Sequence, residues 1–407
     1  MCKLQINDDE EEEYKELLQR TGYTGIRQKL RAVIDAWREI KIKIAVTGES
    51  GAGKSTFINS FRGLKSDDNG AAKVDAHECT REPTKYPFPN RPNMEIWDLP
   101  GFGTSTFGNK EAYLKFVGLK RYDFILLLSS NRFTANDAWL AGEILKVQNA
   151  HNLFFVRTRA DMDLSGFIKS VNKVPDEEKI NSYLANIKKT TSTLLKQERI
   201  PNCKVFMIDS YDGDAFDYKE LVRKLIDKTD ALKKEAMILS LHGITNDVIN
   251  QKLKILQGRI VTISKAAGVA GAYTKRENRS YPIEVETMLE EANFYREQLG
   301  LDLWALSTVA RNLDVDFEVM LVKMNMQSYR FAEREENFAL HYKTYDQFRP
   351  GFVHGIPLLG GSLRTRAYQK QCAITMKAFL DLCAQDVRSL QNFITLAKYG
   401  RDSSLKY

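Results

Sequence analysis

The 407-residue chain carries 60 Lys and Arg against 53 Asp and Glu, a net charge of +7. Charge of both signs is too evenly mixed for a dedicated nucleic-acid binder, while 43% hydrophobic and 28% charged residues suit a chain with packed cores and, at this length, two or three domains. The five cysteines, Cys2, Cys79, Cys203, Cys372 and Cys383, are scattered, odd in number and lack Cys-x-x-Cys spacing, which argues against a zinc or disulfide framework and for a reducing compartment.

The N-terminus has no apolar core of signal-peptide length. Cys2 stands where N-myristoylation requires glycine, and no run reaches the roughly 18–20 apolar residues of a membrane span. The expected location is therefore cytoplasmic, or peripheral on an intracellular membrane. Residues 1–40 open with an acidic run, Asp8 to Glu13, and continue with Leu17, Leu18, Ile26, Leu30, Val33, Ile34 and Trp37 near helical spacing. Such a segment cannot fold alone and is expected to pack on something distant in sequence.

Residues 41–230 read as alternating strands and helices. Ile42 to Thr47 is an alternating, β-branched strand. The loop Gly48-Glu49-Ser50-Gly51-Ala52-Gly53-Lys54-Ser55 follows, and Thr56 to Arg62 opens a helix. Strand, glycine-rich loop and helix form the setting of a phosphate-binding P-loop. Its glycines let backbone N–H groups close on an anion, and the helix start adds positive potential. Lys54 is placed to reach the outer phosphates, Ser55 to ligate Mg²⁺, and Thr56 completes the set.

Met94 to Asp98 is a strand ending in Asp98-Leu99-Pro100-Gly101. Asp98 there can hold Mg²⁺, usually through water, and the Gly101 amide can bond a γ-phosphate and release it on hydrolysis, which makes a switch. In the intervening polar loop, Thr80 and Thr84 both offer a hydroxyl to cap Mg²⁺. Thr80, two residues after Glu78 and ahead of the proline-rich 83–92 segment, is favoured. Phe102-Gly103-Thr104 follows Gly101 without a glutamine to orient water. Glu78 is a carboxylate candidate for that work, or a solvated loop residue.

Phe124 to Leu128 is a continuous apolar run, as in a central parallel strand buried on both faces. Ala138 to Val147 is helical. The strand Leu153 to Val156 leads into Arg157-Thr158-Arg159-Ala160-Asp161. The Asp161 carboxylate suits the N1 and N2 donors of guanine, a pair adenine lacks. Thr158 and Arg159 flank it, with Arg159 where such boxes carry lysine; the two cations are not interchangeable. Glu177 to Leu195 is helical, Lys204 to Ile208 a strand, and Asp209 and Ser210 after it form the last base-facing loop. Tyr218 to Leu225 is helical. The order implies a doubly wound, mostly parallel α/β sheet of the Ras-like P-loop type.

From 231 to 407 only Pro282, Pro350 and Pro357 interrupt long helical patterns. An all-α domain is expected, built from this region with residues 1–40. Residues 361–407 hold eight Lys and Arg against three Asp and Glu. The apolar loop Gly355 to Gly361 and the basic stretch Arg364 to Lys377 form the best candidate for a membrane contact, or a buried connection between helices.

The loop 48–55, Gly70-Ala71-Ala72-Lys73, Trp97-Asp98-Leu99-Pro100-Gly101, Tyr122-Asp123-Phe124, Arg132-Phe133 with Asn136-Asp137, and Phe155-Val156-Arg157-Thr158 together resemble the immunity-related GTPases, the interferon-inducible resistance GTPases of vertebrates. The resemblance covers the whole layout, with motifs concentrated in residues 41–230. It implies a protein that binds GTP and GDP with Mg²⁺, dimerises or oligomerises on GTP, and hydrolyses it slowly and cooperatively. It implies partners in a second copy, in related GTPases and in intracellular membrane lipids, notably at vacuoles around pathogens. Lys54 matches the members with lysine in the P-loop. The family's switch threonine falls on Thr80 and its candidate catalytic glutamate on Glu78. The chain departs from the family pattern at Val74, a threonine in the family, and at Arg159. The competing expectation is a guanine-nucleotide switch or scaffold with negligible hydrolysis that regulates related GTPases. An ATP-driven P-loop machine is a third, against which Asp161 argues.

Overall fold

A computed structural model describes residues 8–74, 82–89, 91–102, 110–130, 133–147, 152–200, 204–241, 245–274, 280–345 and 360–399. The chain divides into two compact units, Trp37–Asp247 and a second made of Met1–Ala36 with Val248–Tyr407.

The first unit is built on a six-stranded sheet in the order β2-β3-β1-β4-β5-β6. Its strands are β1 (Ile42–Gly48), β2 (Thr84–Phe88), β3 (Arg91–Asp98), β4 (Phe124–Ser129), β5 (Leu153–Arg157) and β6 (Val205–Met207). All neighbours run parallel except β2, which pairs antiparallel with β3 at the edge. Pro87 lies in β2, a position an edge strand tolerates because one of its sides needs no ladder hydrogen bond. Every residue of β4 is buried, as the apolar run Phe124 to Leu128 predicts.

Side-chain alternation divides the core. Ala45, Ile125, Leu127 and Phe155 pack with Tyr113 and Val117 of α3 (Lys110–Val117) and with Leu140, Ala141 and Ile144 of α4 (Ala135–Val147). In α2 (Lys54–Phe61), Phe57 and Phe61 stack on each other and meet Tyr218 of α7 (Tyr218–Lys228). Between them in the chain come α5 (Ala160–Ser170) and α6 (Glu177–Gln197).

This unit runs past the expected boundary at 230. Helix α8 (Ala231–Ser240) packs on β1 and β3. Arg91 Nε donates to the Leu239 carbonyl at 3.2 Å, Asn93 Nδ2 to Ser240 Oγ at 3.1 Å, and Lys233 Nζ to Asp123 at 2.6 Å. The loss of prolines after Thr229 marks a change of texture, but these polar partners tie the next helix to the sheet.

The second unit is helical among its described residues: α1 (Asp8–Ile34), interrupted at Gly22 with φ 65°, then α9 (Asn246–Tyr273), α10 (Ile283–Gln298), α11 (Leu303–Leu313), α12 (Phe317–Met324), α13 (Gln327–Ala332), α14 (Glu335–Thr344) and α15 (Gly360–Tyr399). Helix α1 is docked through polar groups as well as Ile26 and Leu30. Glu11, 1% exposed, accepts from the Tyr273 and Thr365 hydroxyls, each at 3.0 Å. At the other end of α1, the Ile34 carbonyl accepts from Arg259, whose guanidinium is also paired with Glu291 at 2.6 and 2.9 Å. Helices α9 and α15 cross closely at Gly268, where a Cβ would stand 2.9 Å from the Gln369 backbone nitrogen. No described helix is long and apolar enough to cross a membrane.

Candidate active site

The loop after β1 is held open by its glycines. Gly48, Gly51 and Gly53 have φ of 141°, 77° and 83°, which favours glycine strongly over any side-chain-bearing residue. At Gly48 a Cβ would also lie 2.1 Å from the Leu128 carbonyl oxygen of β4. Gly53 caps α2 in the left-handed conformation, so the amides of the loop and the first turn of the helix gather at one place.

Lys54 folds back over this cradle and donates to the Gly48 and Glu49 carbonyls at 3.2 and 3.0 Å. Ser55 Oγ donates to Asp98 Oδ2 at 3.4 Å, and Asp98 is buried to 1% exposure. Ser50 and Gly51 are exposed at the rim, Ala52 is buried, and Thr56 is half-buried in the first turn of α2. Gly101 abuts the loop: a Cβ there would meet the Ser50 nitrogen at 3.1 Å and Lys54 Nζ at 3.4 Å. Strands β1 and β3 are adjacent and parallel, so their C-terminal ends deliver loop 48–55 and Asp98–Gly101 to the same edge of the sheet, where ligands of open α/β sheets bind. A hydroxyl and a carboxylate beside an ammonium and converging amides fit Mg²⁺ with a polyphosphate: Ser55 and Asp98 are the described residues that would hold the ion, which when bound neutralises charge on the phosphate oxygens. Thr80 and Glu78 lie outside the described residues.

The residues expected to face a base come from the ends of β5 and β6. Thr158, 1% exposed, donates from Oγ1 to the Ala52 carbonyl at 2.9 Å and fixes the strand end to the loop. Arg159 has φ 58°, and its Nη2 donates to the Gly51 carbonyl at 3.1 Å. The guanidinium thus bridges from the strand end to the loop. Asp161 is exposed in the first turn of α5. Asp209 is half-buried and Ser210 buried in the loop after β6. Burial raises the Asp209 carboxyl above the usual range; the Tyr211 N–H at 2.8 Å opposes this and the nearby Asp161 charge adds to it. The Ala160 N–H donates to the Ile208 carbonyl at 3.1 Å and holds the two loops together.

Glu49 turns its side chain away from the loop. Its backbone carbonyl belongs to the cradle, but its carboxylate accepts from Thr134 Oγ1 at 3.1 Å and Asn136 Nδ2 at 2.9 Å, at the start of α4. Thr134 and Asp137 cap that helix reciprocally: Thr134 N–H donates to the Asp137 carboxylate and the Asp137 N–H to Thr134 Oγ1, both at 3.1 Å. Burial, with the Glu49 charge adding, pushes the Asp137 carboxyl up to about 6 against the Thr134 hydrogen bonds. Asn136 and Asp137 stand out in the sequence only through the family resemblance. Tyr113 is not singled out at all, because a tyrosine on a short helix carries no local signal of the backbone it reaches.

The interferon-inducible GTPase family model matches residues 12–394. The mouse T-cell-specific guanine nucleotide triphosphate-binding protein 2 is 34% identical over 369 residues, covering 90% of this chain and 86% of that protein. Mouse interferon-gamma-inducible GTPase 10 is 30% identical over 370 residues (90% and 85%), and mouse interferon-inducible GTPase 1 is 29% identical over 385 (94% and 89%). A Ras-like strand order, a glycine cradle with Lys54 and Asp98 at its mouth, and a family match across both units all bear on one assignment: the chain belongs to the interferon-inducible GTPases.

Proposed function

We propose that this protein binds GTP and GDP in the cradle formed by residues 48–56 and hydrolyses GTP slowly, with Mg²⁺ held by Ser55, Asp98 and Thr80. The observation that carries the reading is the meeting of Lys54, Ser55, Asp98 and Gly101 at one sheet edge. Asp161 reads the base, Thr158 and Arg159 brace its loop against the cradle, and Asp209 with Ser210 closes the far side. The Gly101 amide distinguishes GTP from GDP, and Glu78 activates the attacking water.

Hydrolysis is completed by assembly. The residue after Gly101 is Phe102, buried to 6% exposure against Tyr113 and Trp139. A phenyl ring turned into the core cannot orient a water, which supports a slow monomer whose site is finished by a second copy or a related GTPase. The protein then acts at intracellular membranes around pathogens. Its basic α15 supports this, with Arg366 45% exposed at the side chain; the apolar loop before it lies outside the described residues.

GTP turnover per molecule, measured over a hundredfold range of protein concentration with ATP as control, tests this. A rising specific rate with GTP alone is the expected result. A flat, negligible rate with tight GTP binding supports instead the switch or scaffold, a reading Phe102 also favours. Equal turnover of ATP overturns the guanine assignment.

A further inference from the structure

Tyr113 is a fully buried tyrosine whose hydroxyl lies between two backbone segments of the site. It donates to the Pro100 carbonyl at 3.0 Å and lies 3.1 Å from Thr47 Oγ1, so a chain of hydrogen bonds runs from Thr47 through Tyr113 to Pro100. Thr47 immediately precedes Gly48, and Pro100 immediately precedes Gly101. The hydroxyl therefore connects the strand under the phosphate cradle to the peptide that begins the switch. The remainder of the ring packs edge-on against Phe102 at 5.3 Å. A tyrosine hydroxyl is protonated at physiological pH in any case, and burial pushes the Tyr113 pKa further up, to about 12.

A trans peptide is planar and its carbonyl and N–H point in opposite directions. With the Pro100 oxygen drawn down to Tyr113, the Gly101 N–H is turned to the opposite side. Gly101 itself lies close to the loop after β1: a Cβ on it would stand 3.1 Å from the Ser50 nitrogen and 3.4 Å from Lys54 Nζ, a tight fit. Resting on the nucleotide reading above, we propose that the Tyr113 hydroxyl is a positioning group for the third phosphate of GTP: it fixes the Pro100–Gly101 peptide so that the Gly101 N–H is aimed where GTP carries a phosphate and GDP does not. The tyrosine touches no nucleotide. It sets the preference for triphosphate by removing the freedom of one peptide plane, so that binding GTP costs less ordering at the switch.

The test compares Kd for GDP and for a GTP analogue with an imido bridge, in wild type, Tyr113→Phe and Thr47→Val. Tyr113→Phe keeps the ring and its packing; Thr47→Val keeps the shape and breaks the chain one link earlier. The expected result is a Kd for the analogue about three- to tenfold weaker in Tyr113→Phe, in line with loss of about one hydrogen bond. GDP affinity should change less than about twofold on the same scale, with a smaller effect of the same direction in Thr47→Val. Equal weakening of both nucleotides, or an unchanged ratio, makes Tyr113 a packing residue and overturns the proposal. Should Tyr113→Phe fail to fold, an unchanged ratio in Thr47→Val overturns it equally. Failure of wild type to bind GDP is a different result, and removes the nucleotide reading itself.

Discussion

At the scale of single residues the site is governed by where charge is buried. Asp137 lies 2% exposed beside the Glu49 carboxylate, and its pKa is about 6. The unfolded chain holds this carboxyl near its ordinary value of about 4, so between roughly pH 4 and 6 the folded state binds the extra proton. Its contribution to stability is therefore greatest below the unfolded pKa and is lost as pH rises through 6, by an amount on the order of 2–3 kcal/mol. Asp137→Asn retains an acceptor for the Thr134 N–H and removes the titration. Urea midpoints from pH 4 to 8 should show the variant gaining on wild type as pH rises, the gap levelling above about pH 7. A constant gap would mean that Asp137 ionises freely in the folded protein. The cap stands next to Thr134 and Asn136, which hold Glu49, so the same titration bears on the rear wall of the phosphate cradle.

At the scale of elements, one buried cation organises the helical unit. Arg259 of α9 forms a two-pronged pair with Glu291 of α10, lies 4.2 Å from the Phe294 ring centroid, and donates to the last carbonyl of α1. The side chains of Arg259 and Glu291 are 7% and 3% exposed. Arg259→Met would leave Glu291 buried without its partner, a loss of about 3–5 kcal/mol. Urea denaturation should show that loss at pH 7 and partial recovery at pH 5, where the stranded carboxylate takes up a proton. A pH-independent loss would assign the cost to packing instead.

Elements with a repeating apolar pattern are legible in the chain: β1, β4 and α6 all lie within a few residues of where spacing puts them. The elements that spacing does not reveal are short or built by context. Strand β2 sits in a proline-rich stretch and exists because β3 offers it an edge. Helices α3 and α5 are short and charged, and are placed by Tyr113 and Val117 under the sheet and by the link between Ala160 and Ile208. The site divides in the same way. The loop 48–55 and Asp98–Gly101 are local signals, since a phosphate imposes glycines and a lysine at fixed spacing. The turn of Glu49 away from the cradle, the reach of Arg159 to Gly51 and the chain through Tyr113 join residues far apart in sequence, and only packing reveals them.

At the scale of the whole molecule, all described residues of the candidate site belong to one of the two units. A ligand that binds only the folded protein stabilises by mass action, by about 2.7 kcal/mol at a hundredfold excess over Kd. GDP should therefore slow amide exchange chiefly within residues 37–247, most of all in β1, α2 and β5. Protection spread evenly over α9 to α15 would show that the nucleotide is read by the helical unit as well.

The helical unit is made from both ends of the sequence, Met1–Ala36 and Val248–Tyr407, with the sheet unit between them. Helix α1 is synthesised before the sheet unit, yet Tyr273, Arg259 and Thr365, which secure it, emerge from the ribosome only after the entire sheet unit. Growing at roughly 5–20 residues per second, the chain carries an unsecured amphipathic helix for tens of seconds. Ile26, Leu30 and the acidic run Asp8 to Glu13 must stay soluble through that interval. Arg27, Lys29 and Arg31, interleaved with those apolar residues, carry that demand until α15 is complete.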